Sequence, residues 1–172
     1  ATAMAGATAV ISALGSSRKD PGNGPEQVDY QGVKNLADAA AAARVGQIVL
    51  VSSAGVTQED HPLNRMFDNV LRWKAKGEEA VRASGVPYTI VRPGGLVDKP
   101  GGEGGLRLEQ GDRGTGFIPR ADVARVCVAA LVSPAARNRT FELYSGPGSP
   151  PSDWNAVFGA LANRQLDDHI DF

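Results

Sequence analysis

Two short runs constrain this chain more than anything else in it. Gly46-Gln47-Ile48-Val49-Leu50-Val51 ends abruptly in Ser52-Ser53-Ala54-Gly55-Val56, and Pro87-Tyr88-Thr89-Ile90-Val91 ends in Arg92-Pro93-Gly94-Gly95-Leu96. Short, unbroken, β-branched apolar runs are the pattern of strands buried on both faces. In an open parallel sheet, ligands sit just beyond the carboxyl ends of such strands. Two strand ends finished in small or polar residues therefore predict a ligand crevice.

The rest of the chain supplies the elements such a sheet needs. Residues 7–14 read as a short buried strand stopped by Gly15-Ser16-Ser17. Residues 18–24 form a polar Gly/Pro loop, and Pro25 suits the first position of a helix running to about Arg44. Val33, Leu36, Ala37 and Ala40 mark its inner face. A second helix is predicted from about Leu63 to Ala83, stopped by Gly85. Strand, helix and strand in this order imply right-handed parallel crossovers. Residues 97–118 read as a Gly-rich loop, with a short strand near Leu106-Leu108. Val123, Val126, Cys127, Ala130 and Leu131 give helical spacing, and Thr140 to Tyr144 a last strand. Residues 150–172 read as a C-terminal helix, capped by Ser152, and a tail. The prediction is a single α/β domain over residues 1–172 with a mainly parallel sheet.

Bulk properties exclude several classes. Net charge is −1, so no global field favours nucleic acid or an anionic membrane. No apolar stretch approaches the length of a membrane helix. The single cysteine, Cys127, rules out an intrachain disulfide and fits a reducing compartment. The start carries no basic segment with an apolar core, and Ala1 to Gly6 reads as the end of a helix, so the chain is expected to begin inside a domain. A cytoplasmic location is expected, or an organelle if an upstream targeting peptide precedes Ala1.

The chemistry-bearing residues each admit two readings. Ser52 and Ser53 can hydrogen-bond a substrate oxygen at a strand's end, or simply cap the strand. Lys74 can reach a ribose or a developing oxyanion, or snorkel along its helix. Arg92 can hold a phosphate bidentately, or pair with a carboxylate structurally. Pro93, Gly94 and Gly95 let backbone approach a flat ligand. Lys76, Glu78 and Glu79 read as a solvated face, and Cys127 as inert core. His61 and His169 lack companions at ligand spacing, so no metal is predicted. No G-x-G-x-x-G follows any predicted strand, and no G-K-[ST] is present.

Taken in order, these stretches resemble the short-chain dehydrogenase/reductase superfamily, in its atypical NAD(P)H-binding, epimerase-like branch. The resemblance is carried by Ala9 to Gly15, Val28 to Leu36, Val49 to Ser53, Trp73 to Glu78, Tyr88 to Leu96 and Arg120 to Ala124, and reaches to about Gly146. It implies a Rossmann-like sheet of strand order 3-2-1-4-5-6, of which this chain would supply strand four onward. It implies NADP or NAD as cofactor, with Ala13, Leu14 and Gly15 beside the adenosine half. It further implies Ser53 as the active-site serine, Lys74 on the nicotinamide ribose, and Pro93 to Gly95 along the nicotinamide.

Two departures matter. The family's acid/base tyrosine stands four residues before the lysine, where this chain has Val70; Arg72 fills that place if the register shifts to Lys76. The family's first strand and glycine loop would precede Ala1, so the sheet is expected to be incomplete at its N-terminal half. Residues 7–14 would then form a raw edge needing a partner or an upstream segment. The leading expectation is an NAD(P)H-dependent oxidoreductase acting on a small molecule. The alternatives are a non-catalytic NAD(P)-binding sensor or assembly factor and, ranked lowest, a sugar-nucleotide epimerase or dehydratase.

Overall fold

The computed structural model describes residues 4–17 and 22–162. Residues 1–3 of the expected Ala1–Gly6 helix end, residues 18–21 of the 18–24 loop, and residues 163–172 of the tail, His169 among them, lie outside the described residues. Five strands form one sheet in the order β1-β2-β3-β7-β5. They are β1 (Val10–Ser12), β2 (Ile48–Val51), β3 (Tyr88–Pro93), β7 (Arg139–Gly146) and β5 (Gly105–Glu109). The first four run parallel, and β5 returns antiparallel on β7. Among the described residues, β1 has a strand on one side only.

Alternation along β2 and β3 sorts their side chains to opposite faces. Ile48, Leu50, Tyr88 and Ile90 pack against Val33, Ala37 and Ala40 of helix α1 (Val33–Ala42) and Val81 of α3 (Val70–Ala83). Val49 and Val91 face the other way, onto Val123, Val126, Cys127 and Ala130 of α4 (Arg120–Val132). Phe158 of α5 (Trp154–Gly159) joins that side, stacked on Trp154. The result is a three-layer α/β sandwich with both sheet faces covered, which explains why β2 and β3 read as unbroken apolar runs.

Four details differ from the sequence reading. The helix expected over 63–83 is two: α2 (Pro62–Met66) and α3. Asp68 and Asn69 take left-handed backbone, which these residue types tolerate, and the Asn64 side-chain oxygen accepts the Leu71 N–H at 3.0 Å, capping the new start. The stretch before α1, Glu26–Gly32, is π-helical, a form that apolar periodicity does not signal. The Gly-rich loop holds more order than expected: besides β5, β4 (Gly95–Val97) pairs in parallel with β6 (Phe117–Pro119). Finally, Asp153 rather than Ser152 caps α5, accepting the Ala156 N–H at 3.1 Å.

Candidate functional site

The carboxyl ends of β1, β2 and β3 open together into a cleft of about 740 Å³. Ala13, Leu14 and Gly15 follow β1 along one wall, and Ser52 and Ser53 follow β2. Pro93, Gly94 and Gly95 follow β3, and Lys74 reaches in from α3. Residues between positions 13 and 95 thus converge because three adjacent parallel strands end on the same side of the sheet.

Lys74 is fixed electrostatically. Its Nζ lies 2.6 Å from Asp29 Oδ1, with the carboxylate fully buried and the lysine side chain 17% exposed. Asp29 Oδ2 also accepts the Ser16 N–H at 3.1 Å, so one carboxylate ties the π-helical stretch, the loop after β1 and the lysine together. Gly77 lets this happen: a side chain there would collide with the Asp29 carbonyl, so α3 can approach only as glycine. The sequence reading missed Asp29, because no local spacing links positions 29 and 74.

The two serines part company. Ser52 is buried, its hydroxyl beside the Glu78 carboxylate. Ser53 is half-buried at the cleft floor, its Oγ donating to its neighbour Ala54's carbonyl at 3.0 Å. It also borders two smaller cavities, of about 440 and 220 Å³. Leu63, Phe67, Val70 and Leu71 wall the larger of these, with Lys74 at its base. His61 lines the smaller, its Nδ1 accepting the Leu63 N–H at 3.2 Å as the cap of α2.

Arg92 does not reach the cleft. Its Nε and Nη2 donate to Glu78 at 3.0 and 2.7 Å, and Nη1 donates to Glu142 at 3.2 Å, all three side chains being buried. Of its two readings, the structural carboxylate pair is the one the fold places. Glu78 accordingly is core, not part of a solvated face, because Arg92 and Arg82 together compensate its charge. Burial works against its ionisation, but the Arg92 and Arg82 guanidiniums outweigh it and hold the carboxyl below its ordinary range. Glu142 is displaced upward, since burial outweighs the help of the Asp112 N–H and Arg92.

The glycines after β3 answer to packing as well as to any ligand. A Cβ on Gly94 would strike the Gly116 carbonyl and come within 2.6 Å of the Tyr144 ring; one on Gly95 would meet the Phe117 ring at 2.6 Å. Tyr144 itself donates to the Gly114 carbonyl at 2.8 Å, and burial pushes its phenol up to about 12, which makes it a poor acid. The far wall, contributed by α4, brings Arg120, Val123, Ala124 and Cys127 to the cleft, none of them anticipated there. Burial pushes the Cys127 thiol up to about 11, so it stays protonated near neutrality. Among the described residues, no three His, Cys, Asp or Glu side chains gather as a metal site, and no helix is long and apolar enough to cross a membrane.

The cleft is a largely apolar slot whose polar side chains are Lys74, Arg120, Ser52 and Ser53. Comparison with known proteins identifies the family. The family model described as NAD(P)H-binding matches residues 1–134. An uncharacterized chloroplastic protein of Arabidopsis thaliana is 48% identical over 153 residues, covering 84% of this chain and 47% of the relative. Sanguinarine reductase of Eschscholzia californica is 46% identical over 150 residues, covering 83% and 55% respectively. The chain thus spans about half the length of either relative. A structure from Bacillus halodurans, named as a candidate NAD-dependent epimerase/dehydratase, superposes with a TM-score of 0.80 at 26% identity, covering 93% of this chain and 72% of that one. On sequence and fold together, the chain belongs to the NAD(P)H-binding family and has its Rossmann-like α/β fold.

Proposed function

We propose that this chain forms the nicotinamide-side part of an NAD(P)H-dependent oxidoreductase acting on a small molecule. The observation that carries the reading is the convergence of Ser53 and Lys74 on one cleft floored by Pro93 to Gly95. NADP or NAD bound there supplies or accepts a hydride. Lys74, oriented by Asp29, hydrogen-bonds the ribose. Ser53 turns its hydroxyl from the Ala54 carbonyl to the substrate oxygen and steadies charge developing on it. Ala13, Leu14 and Gly15 lie along the adenosine side. The apolar cavity next to Ser53 receives the substrate body, which favours a compound rich in rings or hydrocarbon. The reductase named among the relatives supports a reductive direction.

No G-x-G-x-x-G follows a predicted strand, and among the described residues β1 has a strand on one side only, leaving the edge where such a unit would adjoin. A strand from an upstream segment or a partner would complete both. The chloroplastic relative supports an organelle over the cytoplasm. A fluorescent fusion of the full-length protein tests that point.

The second reading, a protein that binds NAD(P)H without turnover, is favoured by Val70. It presents an apolar wall where a proton-donating phenol would stand. One experiment separates the two. The full-length protein is titrated with NADPH and NADH, then offered a panel of quinones, flavins and carbonyl compounds. Cofactor oxidation that falls at least about tenfold in Ser53→Ala supports the oxidoreductase. Tight binding with no turnover across the panel supports the sensor, and no binding of either nucleotide defeats both.

A further inference from the structure

The geometry points to Asp112 as the positioning residue of the Ser53 turn, an inference that rests on the reading of Ser53 just given. Asp112 lies between β5 and β6 with left-handed backbone (φ 52°) and is 2% exposed. Every polar group it owns is engaged. Oδ1 accepts the Gly55 N–H at 2.6 Å, and Oδ2 accepts the Thr57 N–H at 2.9 Å and the Thr57 hydroxyl at 2.8 Å. Its carbonyl accepts Gln58 Nε2 at 2.7 Å, and its own N–H donates to Glu142 Oε2 at 2.9 Å.

The segment it grips begins two residues past Ser53. On the other side, Ser52 N and Ala54 N donate to the Val91 and Pro93 carbonyls at 2.8 and 3.0 Å. The serine therefore sits between two anchors: the β3 backbone holds residues 52 and 54, and the Asp112 carboxylate holds residues 55 and 57. Three donors converge on one carboxylate, whose two oxygens both act as acceptors; an amide would point its N–H groups at other donors. Glu142 holds Asp112 and is itself held by Arg92, so the clamp is braced from the core. Asp112 touches no part of the 740 Å³ cleft, and acts only through the turn.

The test compares wild type, Asp112→Asn, Thr57→Val, Ser53→Ala and the Asp112→Asn/Ser53→Ala double variant of the full-length protein. Amide hydrogen exchange is measured first, without cofactor. Asp112→Asn is expected to speed exchange at Gly55 and Thr57 by about tenfold or more while β2 and β3 keep their protection. Thr57→Val, which removes one hydroxyl and no backbone contact, is expected to show a smaller change at the same amides. Unchanged exchange over 53–58, or acceleration across the whole sheet, overturns the proposal.

The kinetic arm uses NADPH and 9,10-phenanthrenequinone in single turnovers. Asp112→Asn is expected to slow hydride transfer about tenfold with NADPH affinity within about twofold of wild type, and the double variant is expected to be no slower than Ser53→Ala alone. Losses that multiply in the double variant overturn the assignment of Asp112 and leave Ser53 standing. A Ser53→Ala protein with the wild-type rate overturns the reading of Ser53 and the proposal with it. If wild type itself does not reduce the quinone, the exchange result alone decides.

Discussion

The sharpest prediction concerns Glu78, a carboxylate that the sequence places beside Lys76 and Glu79 and the fold places in the core. Glu78→Gln keeps the shape and removes the charge. In the native protein both Glu78 oxygens are taken: Oε1 by Arg92 Nε, and Oε2 by Arg92 Nη2 and Arg82 Nη2, at 2.7–3.0 Å. An amide supplies one acceptor and turns its NH₂ toward a guanidinium, so at least one charge-assisted bond becomes a donor–donor contact. Breaking a buried pair while its partner stays buried costs about 3–5 kcal/mol. The side chains here are 1–3% exposed, so no solvent discount applies to the Arg92 pair. For a chain of this size the loss lowers Tm by roughly 6–20 °C. Urea unfolding followed by far-UV circular dichroism measures it. The pH dependence carries its own sign. The folded Glu78 carboxyl is held below its unfolded value, so its stabilisation is present above the ordinary glutamate range and disappears as pH falls through the folded value. The gap between wild type and Glu78→Gln should therefore close on acidification. Glu142 is displaced the other way, and its contribution is full below its unfolded value and is lost as pH rises through the folded one. Glu142→Gln should accordingly cost less than Glu78→Gln at pH 7. A Glu78→Gln loss below about 1 kcal/mol, the worth of an exposed pair, would refute the reasoning.

The remaining predictions test packing, reactivity and the lysine. Gly94→Ala should lose about 1–3 kcal/mol by overpacking against Gly116 and Tyr144, whereas Gly159→Ala, with open space around it in α5, should be neutral or slightly stabilising; chemical denaturation of the pair gives both signs. Cys127, its thiol pushed up to about 11, should react with a disulfide reagent at pH 8 far more slowly in the folded protein than in urea. Lys74→Met should destabilise by leaving Asp29 buried without its cation, and adding Asp29→Asn should restore much of that loss while NADPH affinity stays low in both. Wild-type affinity in the double variant, read by NADPH fluorescence, would remove Lys74 from the cofactor site.

The parts of the fold legible in sequence are those where one physical pressure acts on consecutive residues. β2 and β3 are buried on both faces, so composition alone marks them, and α1 and α4 carry apolar stripes that helical spacing exposes. The α2–α3 break hid because Leu63, Phe67, Val70 and Leu71 continue a helical stripe across it; only the Asp68-Asn69 pair and the cap from Asn64 reveal the interruption. Arg92 admits two readings, and Glu78 reads as solvated although it is core, for a deeper reason. A charge next to a buried run can face a ligand or a counter-charge, and the choice is made by residues 14 and 50 positions away. Asp29 and Asp112 were invisible as site residues for the same reason, since their partners lie 45 and 55–57 positions off.

These long-range carboxylates share one logic. Asp29 presents one oxygen to the Lys74 ammonium and the other to the loop after β1, and Asp112 presents both oxygens to the turn after β2. Each is buried, and each ties a strand's carboxyl end to an element from elsewhere in the chain. A strand end is otherwise held only by the last rungs of its ladder, and in β1 that ladder is three residues long with, among the described residues, one neighbour. An anion that accepts several donors at once restrains such a segment more than one added neutral bond would, because each bond is charge-assisted and the group cannot turn away without exposing an unpaired charge in the core. The cleft surface can then stay largely apolar, while the forces that fix Lys74 and the turn carrying Ser53 act from behind its walls.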